Sequence, residues 1–464
     1  MSTTTFAAQP VAGNKYKTLL IAGLAALAGL MFGLDIGVIS GALSFIGREF
    51  HVNDATQEFV VSSMMLGAAL GALLAGYLSA SFGRKKSLIL SAVLFVASSL
   101  LCALAWSVAS LIGGRLVLGL AIGIATFTAP LYISEVADEH RRGSMISTYQ
   151  LMITIGILIA FVSDALLAHS GAWRWMLGLV AVPGLLFLLG VFFLPDSPRW
   201  LMMRGRRDEA LQVLTDLRQD SGVARREAAE IDEQLKQKQH GWSLFFGNAN
   251  FRRSVLLGVL LQVMQQFTGM NVVMYYAPRI FKLAGFGEGA QYWGTAIVGV
   301  VNVLATFIAI GLVDRWGRRP MLTMGFVVMT LGMGVLGTLI YAGIDSETQR
   351  ILAIAVLLCF ITGFAFSAGP LIWVLCSEVQ PLKGRDFGIA CSTFTNWAAN
   401  FIVGATFLTL LNRFGNAQTF WLYAALNGLF ILITLALVPE TKGISLEGIE
   451  RNLMSGKRLR EIGR

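Results

Sequence analysis

Charged residues are scarce in this sequence. Asp, Glu, Lys and Arg make up 14% of its 464 residues, whereas hydrophobic residues make up 55%. Soluble globular domains usually carry about 25% charged residues, so this balance excludes a soluble protein of two or three domains. The composition indicates a chain that is surrounded by lipid.

Cysteine and histidine are also rare, with 4 of each. The cysteines all fall in apolar runs without paired spacing, which favours neither a disulfide framework nor a metal site. The histidines fall in loops or at expected helix ends, so histidine is not favoured as a proton carrier. There is no Walker A pattern and no enzymatic residue set, and we therefore expect no cofactor, no metal and no catalytic activity.

Long apolar runs dominate the chain instead. Twelve of them have about 18 or more residues, enough to cross a bilayer as helices. A hydrophilic segment divides them six and six. The sequence predicts an all-α membrane protein with an N-terminal six-helix half at 1–194, a linker of short amphipathic helices at 195–253 and a C-terminal six-helix half at 254–464.

The distribution of Lys and Arg predicts the orientation. Placing both termini and the linker in the cytoplasm leaves most of the 36 basic residues there, as the positive-inside rule requires. The anionic surface of the inner leaflet then explains the net charge of +9 without a nucleic-acid partner. The basic residues expected outside are Arg48, Arg174, Arg279, Lys282, Arg350 and Arg413.

Three short motifs occur once in each half and in the same order. "GRKK" at 83–86 matches "GRR" at 317–319, "SEV" at 134–136 matches "SEV" at 377–379, and "PDSPR" at 195–199 matches "PETKG" at 439–443. An even number of helices per half gives both halves the same orientation, hence a parallel repeat. Transporters built in this way bind their substrate between the halves near the midplane.

The stretch "QVMQQFTGMNVVMYYAP" at 262–278 is unusually polar for a spanning helix. Gln265, Gln266 and Asn271 offer donors and acceptors without charge, as an uncharged polyol requires. Hydrogen bonding between helices is the alternative. A regular helix would not point the three amides at one cavity, but Gly269 and Pro278 permit a local break.

Two opposite charges fall inside apolar runs, where ionisable residues are functional candidates. Asp35 lies about 27 Å of helix from Lys17, and Arg115 about 30 Å from Glu135, so the two can meet in the outer half of the membrane. A static ion pair is the alternative to a role in proton coupling. Asp164 is the second candidate carboxylate, although its surroundings, "SDALLAHSG", are typical of a helix end that faces water.

Seven motifs together resemble the sugar porters of the major facilitator superfamily over nearly the whole chain. They are "GGRLVLG" at 113–119, "PLYISEV" at 130–136, "RRG" at 141–143, "PDSPR", "QQFTGMN" at 265–271, "DRWGRR" at 314–319 and "PETKG". The resemblance implies a six-plus-six fold, alternating access, and a proton-coupling role for Asp35 with Arg115. Ala80 departs from the family, which usually has an acid at this position.

The resemblance also implies sugar-contacting positions outside the polar stretch. Asn396 and Asn400 in "TNWAAN" and Gln150 in "YQLMITIG" match polar positions, and Trp373 offers an aromatic face for the C–H side of a sugar. Phe32 matches a position that lines the pocket.

Charged residues at the cytoplasmic ends of the expected helices suggest a gate. Several ion pairs that break together can bias a two-state equilibrium, although anchoring by the positive-inside rule is the alternative. The candidates are Arg84, Glu135, Arg141, Arg142, Asp314, Arg318, Arg319, Glu378, Lys383 and Arg385.

The sequence therefore predicts a monomeric symporter of a bacterial inner membrane that imports a monosaccharide with a proton. The resemblance favours a hexose, galactose before glucose, because amides alone recognise hydroxyls generically. The alternatives are an arabinose or xylose symporter, an uncoupled sugar facilitator and a sugar receptor that does not transport. Asp35 opposes the facilitator, and the short chain after "PETKG" opposes the receptor.

Overall fold

The computed structural model describes residues 15–137, 142–236 and 241–463, and for 15–19, 22, 142–147, 313 and 314 it describes the backbone alone. The helices of the first half are α1 (Lys15–Phe50), α2 (Asp54–Phe82), α3 (Arg84–Ala103), α4 (Val108–Val136), α5 (Arg142–Leu167), α6 (Trp173–Leu179) and α7 (Ala181–Phe192).

Four short helices follow and connect to the second half. They are α8 (Pro198–Met203), α9 (Arg207–Arg218), α10 (Ser221–Lys236) and α11 (Gly241–Gly247). The second half contains α12 (Ala249–Phe267), α13 (Met270–Leu283), α14 (Glu288–Trp316), α15 (Arg318–Ala342), α16 (Glu347–Phe366), α17 (Ala368–Glu378), α18 (Arg385–Gly404), α19 (Phe407–Phe414), α20 (Asn416–Leu437) and α21 (Leu446–Met454).

The expectation of twelve spanning helices is confirmed. In the described part of the chain, 12 helical stretches are long and apolar enough to cross a membrane. Four of these stretches consist of two helices each, namely α6 with α7, α12 with α13, α16 with α17, and α18 with α19. Since α1 to α7 precede the connecting helices and α12 to α20 follow them, the spans divide six and six.

The two halves share a packing scheme. In the first half α1 packs on α5, α2 on α4, and α3 on α7. The equivalent pairs of the second half are α12 on α18, α14 on α16, and α15 on α20. Contacts between the halves join α5 to α14, α2 to α18, and α1 to α13. We call the end of the bundle that carries α8 to α11 the linker end, and the opposite end the far end.

The expected break in the polar stretch is present. The first of its two helices, α12, ends at Phe267, and the chain turns at Gly269, whose φ of 90° is readily adopted only without a Cβ atom. A second kink occurs at Tyr276, two residues before Pro278. The helix is therefore interrupted at Gly269 and close to Pro278, the two residues that were expected to permit a break.

Helices of the first half approach each other closely at glycines. A Cβ atom added to Gly119 of α4 would lie 1.9 Å from the backbone oxygen of Met64 in α2. A backbone atom cannot move away as a flexible side chain can, so the two helix backbones must separate if residue 119 gains a side chain. On the same helix, a Cβ atom at Gly113 would meet nothing within 4 Å.

We expect Gly119→Ala to destabilise the fold by about 1–3 kcal/mol, the usual cost of overpacking. Gly113→Ala is the matched control and should leave stability unchanged or slightly raised, because alanine favours helix. The melting temperatures of both purified variants in detergent test this expectation. Equal melting temperatures would show that α2 and α4 do not depend on close backbone contact.

Candidate functional site

Amide side chains form a continuous hydrogen-bonded network at the break between α12 and α13. Asn396 Nδ2, from α18, donates to Gln265 Oε1 at 2.8 Å. Gln266 Nε2 also donates to Gln265 Oε1, at 3.3 Å, and Asn271 Nδ2 donates to Gln266 Oε1 at 2.5 Å. The three amides of the polar stretch are therefore brought together with one of the two expected asparagines of α18.

Gln265 also joins this network to another helix break. Its Nε2 donates to the backbone oxygens of Ala368 at 3.0 Å and Gly369 at 2.9 Å, where α16 ends and α17 begins. The alternative role of these amides, hydrogen bonding between helices, thus applies to Gln265. The same side chain both holds α17 and contributes to a polar surface between helices.

Sequence reasoning missed two polar residues that bond to the asparagines of α18. Gln262, fully buried on α12, accepts from Asn396 Nδ2 at 2.7 Å, and Tyr275 of α13 receives a hydrogen bond from Asn400 Nδ2 at 3.2 Å. Both residues stand in the quoted polar stretch, so their polarity inside a span was the available signal. The facing asparagines of α18 could not be matched to them from the sequence alone.

The remaining expected sugar-binding residues, apart from Asn400, lie on α1, α5 and α17. Phe32 of α1 lies edge-on to Trp397, next to Asn396, with ring centroids 5.2 Å apart. Trp373 of α17 is 39% exposed, and Gln150 of α5 is partly buried. The side chains of Trp373 and Gln150 make no hydrogen bond among the residues that the structure describes. Their polar side-chain groups therefore remain available to a ligand.

Asp35 and Arg115 form a buried ion pair. Arg115 Nη1 donates to Asp35 Oδ1 at 3.0 Å, and the two side chains are 0% and 1% exposed. Arg115 also donates through Nε to the backbone oxygen of Val60 at 2.7 Å and through Nη2 to that of Val61 at 3.4 Å. Val60 lies about 9 Å of helix from the start of α2, so the pair is in the far half of the bundle, as expected.

Tyr275 lies on α13, which packs against α1, the helix that carries Asp35. Its hydroxyl group bonds to Asn400 of α18 and forms a polar contact separate from the bonds among Gln265, Gln266 and Asn271.

The prediction that Asp164 lies at a helix end facing water is wrong. Its side chain is 2% exposed and does not face water, because α5 packs against α1 along this segment. Asp164 Oδ2 accepts from the backbone nitrogen of Gly41 at 3.0 Å, while its Oδ1 atom has no hydrogen-bond partner in the described part of the chain. The "AHSG" sequence that suggested a water-exposed end begins only after the last turn of α5.

The repeated motifs meet in equivalent clusters at the linker end. In the first half, Arg84 forms two hydrogen bonds with Glu135, of 2.6 and 2.8 Å, and Ser197 donates to the same carboxylate. In the second half, Arg318 bonds to Glu378 at 3.0 Å.

Thr441 donates to Glu378 in the position that corresponds to Ser197. Each cluster therefore combines one residue from each of the three repeated motifs. Arg318 and Arg319 also donate through their backbone nitrogens to Glu440, at 3.0 Å each, and Arg385 donates to the backbone oxygen of Gln380 at 3.4 Å.

Ala80 does not prevent the first cluster from forming. Its backbone oxygen accepts from Trp200 Nε1 at 2.9 Å, and Arg84 donates to the backbone oxygen of Ser79 at 3.0 Å. Backbone carbonyl groups thus occupy the acceptor role at this loop. Of the other gate candidates, Arg141 lies outside the described residues, as do the side chains of Arg142 and Asp314.

Polar contacts close the far end between the halves. The hydroxyl groups of Ser44 in α1 and Tyr292 in α14 are 2.9 Å apart, and Tyr292 stacks on Phe45 with ring centroids 5.9 Å apart. At the linker end, by contrast, the faces of α4 and α17 that carry Ser134 and Ser377 are partly or fully exposed. The structure is therefore closed at the far end.

The profile of the sugar (and other) transporter family matches residues 21–453 of the chain. The chain belongs to this family. The galactose-proton symporter of Escherichia coli (strain K12) is 66% identical to the transporter over 451 residues, which cover 97% of each chain. The arabinose-proton symporter of the same strain is 56% identical over 454 residues, covering 97% of the transporter and 96% of the relative.

A solved structure has the same fold. The xylose transporter of E. coli in a partially occluded inward-open conformation superposes on the transporter with a TM-score of 0.82 at 31% identity, covering 93% of the transporter and 100% of that chain. These comparisons confirm the resemblance that the seven motifs carry and the twelve-helix architecture. They also place the chain among transporters and not among enzymes.

We expect Arg115→Met to lower stability strongly, by about 3–5 kcal/mol, because it leaves the Asp35 carboxylate buried without its partner. The double variant Arg115→Met with Asp35→Asn should recover part of the loss. Melting temperatures of purified protein measure both changes. Arg206→Met, which removes an exposed pair with Glu209, is the control and should have little effect. A double variant no more stable than Arg115→Met would contradict the expectation.

Proposed function

We propose that the transporter imports a hexose, galactose by preference, together with a proton. The observation that carries the proposal is the buried ion pair of Asp35 and Arg115, present in the same bundle as a network of neutral amides at the break between α12 and α13. The 66% identity to a galactose-proton symporter supports both the sugar and the coupling ion.

Neutral amides suit the recognition of a sugar. Each hydroxyl of a sugar donates and accepts hydrogen bonds, and an amide offers both functions without the desolvation cost of a charge. The side chains of Gln150 and Trp373 make no hydrogen bond among the described residues. Gln150 provides a polar group and Trp373 an aromatic face. Gln266, Asn271 and Asn400 complete the polar surface, with Phe32 on the opposite half.

The ion pair suits proton coupling. A buried carboxylate that keeps its charge needs a charged or hydrogen-bonded partner, and Arg115 supplies one in the state closed at the far end. Opening of the far end, which moves the second half away from α1 and α2, would admit water to the pair and make proton binding to Asp35 depend on the conformation. That dependence is the physical requirement for symport.

The gate and the orientation belong to the same proposal. We infer that the linker end faces the cytoplasm, since it carries the Lys- and Arg-rich loops, and that the protein is a monomer in a bacterial inner membrane. The two linker-end clusters are then parts of the cytoplasmic gate, which holds that side shut in the outward-open state. The boundaries 1–194, 195–253 and 254–464 describe the two moving units and their connection.

The energetics of one proton per sugar are sufficient. A proton that moves down a membrane potential of ~150 mV releases about 3.5 kcal/mol. This free energy supports a concentration ratio of several hundred for the sugar.

The amides should separate into two classes on mutation. Gln150→Ala removes a group without a partner in the described structure, so we expect a roughly tenfold weaker affinity for galactose with little change in melting temperature. Gln265→Ala removes the bonds that hold α17, and it should lower both affinity and melting temperature. Equilibrium binding of labelled galactose and thermal melting test this contrast. Equal melting temperatures in the two variants would contradict it.

Proton coupling is tested by adding galactose to a weakly buffered suspension of de-energised cells that express the transporter. Symport removes protons from the medium, so we expect a sugar-evoked rise in external pH. The variant Asp35→Asn should abolish the pH rise while galactose counterflow persists, because exchange requires no net proton movement.

The alternatives give different results in that experiment. Sugar entry without a change in pH would mean an uncoupled facilitator, with Asp35 as a structural partner of Arg115. Absence of both sugar entry and counterflow in the unmutated protein would mean a receptor. Repeating the measurement with arabinose and xylose identifies a pentose symporter, since the preferred sugar gives the largest pH rise at low concentration.

A further inference from the structure

A buried carboxylate that belongs neither to the ion pair nor to the amide network bridges the two halves at the far end. Glu58 of α2 is 2% exposed. It accepts hydrogen bonds from Thr409 of α19, from the backbone nitrogen at 2.6 Å and from the hydroxyl group at 2.5 Å. Both carboxylate oxygens are thus bound by a residue of the other half.

The position of Thr409 makes this contact a helix cap. Thr409 is the third residue of α19, and the first backbone nitrogens of a helix have no partner inside the helix. Thr406, the residue at the N-cap position, makes no side-chain capping bond. Glu58 therefore supplies from the first half the acceptor and the negative charge that an N-terminus of the second half requires.

A second acidic residue on α2 reinforces the contact. Asp54, one turn before Glu58, accepts from Asn412 Nδ2 at 2.8 Å and lies 3.5 Å from Arg279 Nη2. The two partners come from α19 and α13. These bonds are more exposed to solvent than those of Glu58, so they contribute less.

We propose that Glu58 is a positioning residue that holds the far end closed. The proposal rests on alternating access in the proposed function. Opening of the far end would separate α2 from α19 and break the hydrogen bonds between Glu58 and Thr409. The closed state is therefore favoured by the free energy of these charge-assisted hydrogen bonds.

The contact between Glu58 and Thr409, which we call the latch, also adjoins the ion pair. Val60 and Val61, whose carbonyl groups accept from Arg115, follow Glu58 within one turn of α2. The same turn of α2 therefore contacts the second half through Glu58 and the ion pair through its backbone. A displacement of this turn changes both contacts together.

Spin-label distances measure the latch directly. The labels are attached to Leu104→Cys and Gly289→Cys in the full-length transporter, reconstituted in lipid nanodiscs after the four native cysteines are replaced by serine. Leu104 is 73% exposed between α3 and α4, and a Cβ atom at Gly289, at the start of α14, would meet nothing within 4 Å. One label then reports on the far end of each half.

We expect Glu58→Gln to increase the population with a long distance between labels roughly tenfold, since it removes the charge from the helix cap. Thr409→Val, which keeps the size of the side chain and removes the hydroxyl donor, should shift the population in the same direction by less. If Glu58→Gln does not give folded protein, Thr409→Val decides the outcome.

Glu288→Gln is the matched control. Its partner Arg48 lies 3.6 Å away across the same interface, but the side chains are 78% and 59% exposed, so the distances should not change. Distances unchanged in both Glu58→Gln and Thr409→Val would overturn the proposal, as would an equal shift in Glu288→Gln.

The outcome is independent of the pH measurement. The labels report the closure of the far end without sugar or a proton gradient, so an uncoupled facilitator would still show the shift. If the distance shifts but galactose causes no pH change, the latch is supported and symport is contradicted. If the distance does not shift but galactose causes a pH change that Asp35→Asn abolishes, symport is supported and the latch is contradicted.

Discussion

Polar groups inside a bilayer must find their partners within the protein, and this constraint organises the whole transporter. The apolar spans satisfy it by helix formation, since every backbone group then has a partner in its own segment. Where the helices break, side chains bind the interrupted backbone: Gln265 donates to carbonyl groups in the first turn of α17, and Glu58 caps α19. The amide network and the Glu58 contact therefore lie at interruptions of the helices.

The same constraint explains the arrangement of the charges. Arg115 is fully buried, and it is satisfied by Asp35 together with two carbonyl groups of α2. Such an arrangement is stable only in one relative position of α1, α2 and α4. Pairs of helices in close contact at glycines such as Gly119 keep that position inside one half, while the contacts between the halves include single hydrogen bonds such as those of Glu58 and Tyr292. Alternation between two states requires only the contacts between the halves to change.

Much of the architecture could be predicted from the sequence because its signals are local. Span count, the break at Gly269 and the meeting of Asp35 with Arg115 follow from run length, backbone freedom and helix rise. Asp164 and Glu58 escaped this reasoning for a common reason. Whether a carboxylate near a helix end faces water or a neighbouring helix depends on tertiary packing, and no periodicity in α5 or α2 reports which helix lies opposite. The pairing of Asn396 with Gln262 was hidden in the same way.

The two linker-end clusters repeat the same three contacts. An arginine after a turn glycine, a glutamate at a helix end and a hydroxyl from the following loop occur together in each half, as Arg84, Glu135 and Ser197 and again as Arg318, Glu378 and Thr441. The repeats differ at the loop before the glycine, where the first half has Ala80 and the second has Asp314. The bond between arginine and glutamate forms in the half that lacks the loop acid, so the trio holds together on its own contacts. The two halves can therefore hold their helix ends by the same three side chains while their loops differ in charge.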